Sequence, residues 1–168
     1  MKILNDTEKF MKIALKQAKN AFDIGEVPIG AIIVKDGIVI AKAKNTRNKS
    51  KCATNHAEIV AINKACKKLG DWRLDGAEMY VTLEPCSMCA GAIVNARISK
   101  VYFGAYERKS GAVLSNHQIL FKNGLNHVCD VEGGVLEKEC SSLLKTFFKN
   151  KRKTSSPPLN SLDLNKTI

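Results

Sequence analysis

The sequence predicts an α/β protein in which helices cover a single β-sheet. Apolar residues recur at helical spacing over residues 7–22, and two β-branched runs flank an Asp36-Gly37 turn. An apolar strand over residues 79–83 leads into a further helical segment. Strands and helices that alternate in this way are typical of layered α/β folds. At 168 residues the chain suits one domain, which we expect to cover residues 1–153.

The first helix is predicted over residues 7–22. Asn5 and Glu8 can form a capping box at its start, because each side chain can satisfy a free amide of the other. Gly25 lies beyond its end, where glycine is common. Lysines between the apolar residues give this helix a basic outer face.

Strands and helices alternate after this first helix. A β-hairpin comes first, because Asp-Gly between two β-branched runs is a strong turn signal. A polar, basic loop over residues 45–51 leads to a second helix with Gly70 as its stop. Pro85 is predicted to open a third helix, since proline suits the first helical position. The predicted bounds are 29–34 and 38–43 (hairpin), 56–69 (helix), 79–83 (strand), 85–97 (helix), 101–104 and 128–131 (strands) and 135–149 (helix).

The composition changes after the lysine-rich segment 149–153. Residues 154–168 are rich in Ser, Pro, Asn and Thr, and we expect a disordered tail because such a segment buries too little apolar surface to fold. The N-terminus has no apolar run of secretory length, and no segment approaches the roughly 20 apolar residues of a membrane span. We therefore expect a cytoplasmic protein with no membrane partner.

The net charge of +11 favours a polyanionic partner such as nucleic acid. The alternative is that nucleotide bias alone produces a composition rich in Lys and Asn. For any one lysine, a solvated surface position explains the charge equally well. Two basic groups are candidates for neutralising phosphates, namely Lys42, Lys44, Arg47, Lys49 and Lys51, and Lys149, Lys151, Arg152 and Lys153.

Two short segments together indicate a catalytic zinc site. They are His56-Ala57-Glu58 and Pro85-Cys86-Ser87-Met88-Cys89. One imidazole and two thiolates are strong zinc ligands, and an ion with three protein ligands keeps a fourth position for water. The pattern H-x-E followed by P-C-x-x-C is the signature of zinc-dependent nucleobase deaminases. The remaining four cysteines are assigned no function, and Cys66, Cys129 and Cys140 are expected in the core.

Both segments fall at predicted helix starts. Cys86 and Cys89 project from one side of a first turn, where backbone amides and the helix dipole favour thiolates. His56 is predicted in the first turn of the second helix, so the two N-termini are expected to converge. Glu58 is expected to act as base and then as acid, because hydrolytic deamination takes a proton from water and delivers protons to the ring nitrogen and the departing amine.

Each segment alone has a simpler interpretation. Cys86 and Cys89 alone could form a thioredoxin-like redox pair. His56 alone would be an ordinary helix residue, and Glu58 alone a solvated charge. The joint occurrence of both segments favours the zinc deaminase.

Further segments resemble bacterial tRNA-specific adenosine deaminases. The similarity extends from about the first helix to Arg152, whereas free-base and free-nucleoside deaminases share the zinc signature but usually not the whole set. The segments are Glu26-Val27-Pro28-Ile29-Gly30-Ala31, Asn45, His56-Ala57-Glu58, Glu84-Pro85-Cys86-Ser87-Met88-Cys89-Ala90-Gly91-Ala92, Phe103-Gly104-Ala105, Lys109-Ser110-Gly111-Ala112, Asn126-His127 and Thr146-Phe147-Phe148.

This resemblance implies a three-layer α/β/α cytidine deaminase-like fold, with helices on both faces of a mixed five-stranded sheet. It implies a homodimer with one Zn²⁺ per subunit that converts the wobble adenosine of a tRNA anticodon to inosine and releases ammonia. Arginine tRNA is the expected substrate. Two other hypotheses stay open: a deaminase of free nucleobases or nucleosides, and a noncatalytic RNA-binding module or accessory subunit, against which the presence of Glu58 argues.

The resemblance also implies roles for individual residues. The implied zinc ligands are His56, Cys86 and Cys89, with Glu58 as the proton shuttle. The implied substrate-binding residues are Asn45, Ile29, Val27, Ala57 and Glu84, with Ile29 in the apolar wall that packs against a flipped base. The implied RNA contacts are Glu107, Lys109, Phe148 and Arg152.

Overall fold

A mixed five-stranded sheet forms the centre of the protein, in a computed structural model that describes residues 5–121 and 125–154. The spatial order of the strands is β2-β1-β3-β4-β5. β1 runs antiparallel to both of its neighbours, whereas β3, β4 and β5 run parallel to one another. The strands are β1 (Gly30–Lys35), β2 (Ile38–Lys44), β3 (Ala77–Leu83), β4 (Lys100–Ala105) and β5 (Asp130–Glu132).

Helices cover both faces of this sheet, which confirms the three-layer fold. The first and last helices pack on one face, and the third and fourth helices pack on the other. The helices are α1 (Asp6–Phe22), α2 (Arg47–Ser50), α3 (Ala57–Leu69), α4 (Ser87–Asn95) and α5 (Glu137–Thr154), with one 3₁₀ turn (Ile119–Phe121). Among the described residues, no helix is long and apolar enough to cross a membrane.

Alternating side chains of the central strands supply two separate cores. In β1, Ile33 packs in the core beneath α3 and α4, whereas Ile32 and Val34 pack in the core beneath α1. The same alternation separates Val81 from Tyr80 in β3. Because successive side chains of a strand point to opposite faces, an apolar strand buried on both faces produces this pattern.

The predicted elements are present, and several boundaries differ by one or two residues. The first helix is capped as expected, since the Asn5 side chain accepts a hydrogen bond from the Glu8 amide at 2.7 Å. The last helix begins two residues later than predicted because Leu136 has a left-handed backbone (φ 52°). That helix continues to Thr154, and the rest of the predicted tail lies outside the described residues. The domain boundary at residue 153 stays a prediction.

The predictions that His56 lies in the first helical turn and that Pro85 opens a helix were wrong. His56 and Cys86 are N-caps with extended backbones, so α3 begins at Ala57 and α4 at Ser87. The chain stays extended through Pro85 because its carbonyl accepts a hydrogen bond from the Ala112 amide at 2.9 Å. A tertiary contact therefore delays the start of α4.

The predicted loop 45–51 contains the short helix α2. A buried carboxylate supports it, since Glu26 accepts a hydrogen bond from the Lys49 amide at 2.6 Å. All six cysteines are free thiols. Cys129 and Cys140 are buried as expected, whereas Cys66 is only half-buried.

Candidate metal centre and active site

One edge of the sheet gathers the candidate functional residues. The parallel strands β3 and β4 both end there, at Leu83 and Ala105. Because β1 is antiparallel to β3, its first residue, Gly30, lies at the same edge, as does the end of β2. Segments that follow or precede four strands therefore meet in one place, as is usual for ligand sites in α/β folds.

His56, Cys86 and Cys89 come together at this edge, where the starts of α3 and α4 converge. The His56 Nδ1 lies 3.7 Å from the Cys86 Sγ and 3.6 Å from the Cys89 Sγ. The ligand atoms of all three residues lie within 4.8 Å of one another. One imidazole and two thiols at this spacing are a donor set that suits zinc, and three ligands leave one coordination position for another group.

The two thiols share their protons unequally when no cation neutralises them. A hydrogen bond from Cys89, with a further contribution from His56, lowers the pKa of Cys86 to about 4 despite its partial burial. The same interaction with Cys86, together with burial, raises the pKa of Cys89 far above its ordinary value. The hydrogen bond to Cys86 also raises the pKa of His56. One thiolate is thus available at neutral pH, and a divalent cation would stabilise the second.

Glu58 lies in the first turn of α3, beside these three residues. Its carboxyl group is buried, with 4% of the side chain exposed, and its Oε2 atom is the one buried side-chain oxygen or nitrogen of the described residues that has no hydrogen-bond partner. Burial raises the pKa of Glu58, and the thiolate of Cys86 adds to this effect. A buried carboxyl group with a raised pKa and an unused oxygen is suited to take a proton and return it.

A cavity of about 390 Å³ opens onto Glu58, His56 and Cys86. Six of the implied substrate-binding and RNA-contact residues also line it, namely Val27, Ile29, Asn45, Glu84, Glu107 and Phe148. Ala57 is fully buried at the start of α3 and does not line it. Lys109 lines a neighbouring groove of about 1130 Å³, and Arg152 lies outside both.

Several cavity residues were not singled out as site residues. Those on α5 are Ser141, Leu144 and Lys145, and the others are Leu83, Ala105, Tyr106 and Ser110. Arg47, which was predicted only as one of the basic residues that could neutralise phosphates, also lines the cavity. The spacing of the α5 residues from Phe148 places them on one helix face. That periodicity was the signal that could have found them.

The buried polar residues beside the cavity are held by specific hydrogen bonds. The Asn45 side-chain amide donates to the Glu26 carboxylate and to the Val27 carbonyl, both at 3.4 Å. Glu84 directly precedes residues 85–89, which contain Cys86 and Cys89 and which we call the metal-ligand segment. The loop that follows β4 donates hydrogen bonds to the Glu84 carboxylate. Burial opposes ionisation of Glu84, but hydrogen bonds from Ser115, Leu114 and Glu107 outweigh it and lower its pKa.

Comparison with known proteins agrees with this geometry. Residues 5–152 match the family model described as MafB19-like deaminase. The tRNA-specific adenosine deaminase of Bacillus subtilis is 48% identical over 150 residues, which are 89% of this chain and 93% of that protein. The enzyme of the same name from Aquifex aeolicus is 51% identical over 145 residues, covering 86% and 95% of the two chains.

Solved structures give the same result. A structure from work on A-to-I editing by tRNA:A34 deaminases has a TM-score of 0.79 and 46% identity, covering 81% of this chain and 99% of that chain. Guanine deaminase from Nitrosomonas europaea has a TM-score of 0.71 at 24% identity, covering 87% and 86% of the two chains, and so shares the fold. By these relationships the chain belongs to the MafB19-like deaminases and, within them, to the family of tRNA-specific adenosine deaminases, which are deaminase enzymes.

Proposed function

We propose that the protein catalyses the zinc-dependent hydrolytic deamination of adenosine to inosine at the wobble position of a tRNA anticodon, with arginine tRNA as substrate. The observation that carries the chemistry is the unpartnered, buried Oε2 of Glu58 beside a His-Cys-Cys ligand set. The substrate is supported by the relatives, which are named tRNA-specific adenosine deaminases and match most of the chain.

The residues present fit one zinc ion per subunit. His56, Cys86 and Cys89 would hold it, since their donor atoms already lie together and Cys86 has a low pKa. When bound, zinc lowers the pKa of water and so supplies hydroxide at neutral pH. Replacing Cys86 by Ser should remove the zinc from purified protein, and unchanged zinc content in metal analysis would contradict this ligand set.

Glu58 moves the protons in this proposal. Hydrolysis adds water to adenosine and releases ammonia, so one proton must reach the ring nitrogen N1 and another must reach the departing amine. The Glu58 carboxylate takes a proton from water and delivers it to N1. It then takes the proton of the hydroxyl now on C6 and carries it to the amine, so that the C6–N bond breaks as the C6 carbonyl forms. Burial raises the pKa of Glu58, which favours the protonated form that each delivery needs.

The cavity would hold one nucleoside taken out of the RNA. Its volume of about 390 Å³ suits a single nucleoside and not a folded stem. Val27 and Ile29 supply an apolar wall for the base. Ala57, implied as a substrate-binding residue, is buried at the start of α3 and supplies no part of the cavity lining. Asn45 offers its side-chain oxygen, because its nitrogen is already donating to Glu26 and Val27. A nucleotide in an anticodon loop is partly unstacked, so its extrusion costs less than from a duplex.

The surface around the cavity would bind the rest of the anticodon loop. Glu107 and Phe148 lie at the cavity wall, and Lys109 lies in the adjoining groove. Arg152 lies further along α5, within a basic segment that can neutralise phosphates. We also propose a cytoplasmic homodimer, and sedimentation of the zinc-loaded protein at the mass of one chain would contradict the dimer.

The proposal is tested with an arginine-tRNA anticodon stem-loop that carries adenosine at the wobble position. The matched control moves the adenosine to a neighbouring position of the same loop. We expect inosine in the first RNA and none in the second. A zinc-loaded protein that leaves both unchanged, or that deaminates free guanine or cytidine at least as efficiently as the stem-loop, would overturn the proposal.

A further inference from the structure

One buried carboxylate ties down the loop Glu107–Ser115, which we call the 107–115 loop. The Glu84 Oε1 accepts backbone hydrogen bonds from Leu114 at 2.7 Å, Ser115 at 2.8 Å and Val113 at 3.3 Å. Its Oε2 accepts from the Glu107 amide at 3.1 Å and from the Ser115 hydroxyl. A carboxylate offers about four lone-pair sites, so the loop saturates both oxygens.

The same loop is joined to the metal-ligand segment that follows Glu84. The Ala112 amide donates to the Pro85 carbonyl at 2.9 Å, and Gly111 pairs with Cys86 in an antiparallel bridge. Gly111 is needed for this contact, because a Cβ there would lie 2.6 Å from the Glu84 Oε2 and would also meet the Glu107 carbonyl. The 107–115 loop and the metal-ligand segment thus form one hydrogen-bonded unit around Glu84.

The 107–115 loop supplies one wall of the candidate active site. Glu107 and Ser110 line the cavity, and Lys109 lines the groove beside it. Glu84 also lines the cavity, but its oxygens are occupied by loop donors. It is therefore poorly suited to bind a substrate group directly and well suited to fix the loop that does.

We infer that Glu84 is a positioning residue, which holds the 107–115 loop in the shape that binds RNA and acts on the substrate only through that loop. This inference rests on the proposed function. The hydrogen bonds order the loop before RNA arrives, so its ordering does not have to occur during binding. Removal of the carboxylate should then weaken substrate binding and leave the chemical step intact.

The test compares zinc-loaded wild type with Glu84→Gln. Glutamine replaces one acceptor oxygen with an amino group that faces amide donors. The matched control is Glu132→Gln, the same change at an exposed carboxylate on β5. For Glu84→Gln we expect faster amide hydrogen exchange across residues 107–115 and a KM for the stem-loop raised roughly tenfold, because ordering even one or two backbone residues costs about that much. We expect kcat within about twofold of wild type and an unchanged zinc content.

Amide hydrogen exchange and steady-state kinetics together distinguish a positioning role of Glu84 from direct action on the substrate. A loss of kcat with wild-type exchange in the loop would show direct action on the substrate and would overturn it, as would wild-type values of both exchange and KM. If Glu84→Gln does not fold, Ser115→Ala removes one of the five donors, and unchanged exchange at residues 113–115 would overturn the inference. Failure of wild type to form inosine would contradict the proposed function, whereas loop exchange tests the role of Glu84 without turnover.

Discussion

Two glutamates buried at the same site have opposite surroundings. Glu58 is 4% exposed and its Oε2 has no hydrogen-bond partner, whereas Glu84 is 2% exposed and accepts from four amides and one hydroxyl. The pKa of Glu58 is accordingly raised by burial, and that of Glu84 is lowered because hydrogen bonds outweigh burial. The comparison shows that partners, not burial, decide whether a carboxylate holds structure or exchanges protons.

This difference also affects stability, because an unpartnered buried carboxyl group destabilises a fold and a hydrogen-bonded one stabilises it. A buried polar group without a partner costs about 1–3 kcal/mol. Glu58 would carry such a cost whenever no bound group donates to its Oε2, and this oxygen stays available for proton transfer, which is typical of catalytic positions. Each amide that donates to Glu84 stabilises the fold, and together these hydrogen bonds hold the surrounding loop in one conformation.

Removal of the metal should have the largest effect on activity. It should abolish the chemistry that involves Glu58 and leave the hydrogen bonds to Glu84 in place. Chelation is expected to abolish inosine formation, and added Zn²⁺ should restore it. Amide exchange at residues 113–115 should stay slow in the metal-free protein, because the Glu84 hydrogen bonds do not involve the ligands. Full activity after verified metal loss would contradict the zinc mechanism. Rapid exchange would show that the Glu84 hydrogen bonds alone do not order residues 113–115.

The Glu58→Gln variant should lose turnover by about 10²–10⁴-fold, the range of general acid–base catalysis. Zinc content and binding of the stem-loop should match wild type. The melting temperature should be equal or higher, because glutamine carries no charge that burial penalises. Retention of more than a tenth of the wild-type rate would contradict the role of Glu58.

The Glu84→Gln variant should instead lose stability, by about 1–3 kcal/mol in urea unfolding, because buried amides lose their acceptor. Ser115→Ala removes only the hydroxyl donor and should cost about 0.5–1.5 kcal/mol. The control Glu132→Gln should stay within about 0.5 kcal/mol of wild type. Equal losses for Glu84→Gln and Glu132→Gln would show that the hydrogen bonds do not stabilise the loop.

The two variants should also respond to pH in opposite ways in metal-free protein. The pKa of Glu84 is lower in the folded state than its unfolded value of 4.5. Its stabilisation is therefore complete above that value and is lost as the pH falls through the folded pKa, so the deficit of Glu84→Gln should shrink in acid.

The pKa of Glu58 is higher in the folded state than 4.5. Its carboxylate therefore destabilises the fold increasingly as the pH rises through the folded pKa. The gain from Glu58→Gln should be present at pH 7 and should vanish below about 4.5, where the residue is protonated in both states. Urea unfolding at several pH values measures both trends, and parallel trends for the two variants would contradict the comparison.

The smallest effects are expected from two lysines near the cavity, each replaced by Ala. Lys49 lies on α2, whose first residue Arg47 lines the cavity, and Lys109 lines the adjoining groove. Each replacement should lower affinity for the stem-loop modestly and reduce the slope of log K against log salt by about 0.7–1 if the lysine contacts one phosphate. Lys12→Ala is the control, because no residue of α1 lines the cavity or the adjoining groove. If all three variants gave the same salt slope, the prediction that Lys49 and Lys109 contact phosphates would be wrong.

The sequence was sufficient for features that depend on local pattern. Helical spacing located α1, the Asp36-Gly37 turn located the hairpin, and the two motif segments located His56, Glu58, Cys86 and Cys89 beside one another. These features follow from periodicity and from ligand chemistry, which a single sequence displays.

Features that depend on distant contacts could not be predicted. The donors to Glu84 lie 23–31 residues later in the chain, in a loop whose path no local pattern fixes. No local pattern assigns a role to Glu26, although its carboxylate accepts hydrogen bonds from the Asn45 side chain and the Lys49 amide. The late start of α4 has the same cause, since the Pro85 carbonyl is bonded to Ala112.

The most direct test of the division between Glu58 and Glu84 is a single-turnover measurement of inosine formation over a range of stem-loop concentrations. Wild type, Glu58→Gln and Glu84→Gln are compared with equal zinc content. We predict that Glu58→Gln forms almost no inosine at any concentration, whereas Glu84→Gln needs more RNA but reaches nearly the wild-type rate at saturation. A wild-type rate for Glu58→Gln, or a low saturating rate for Glu84→Gln, would contradict the account.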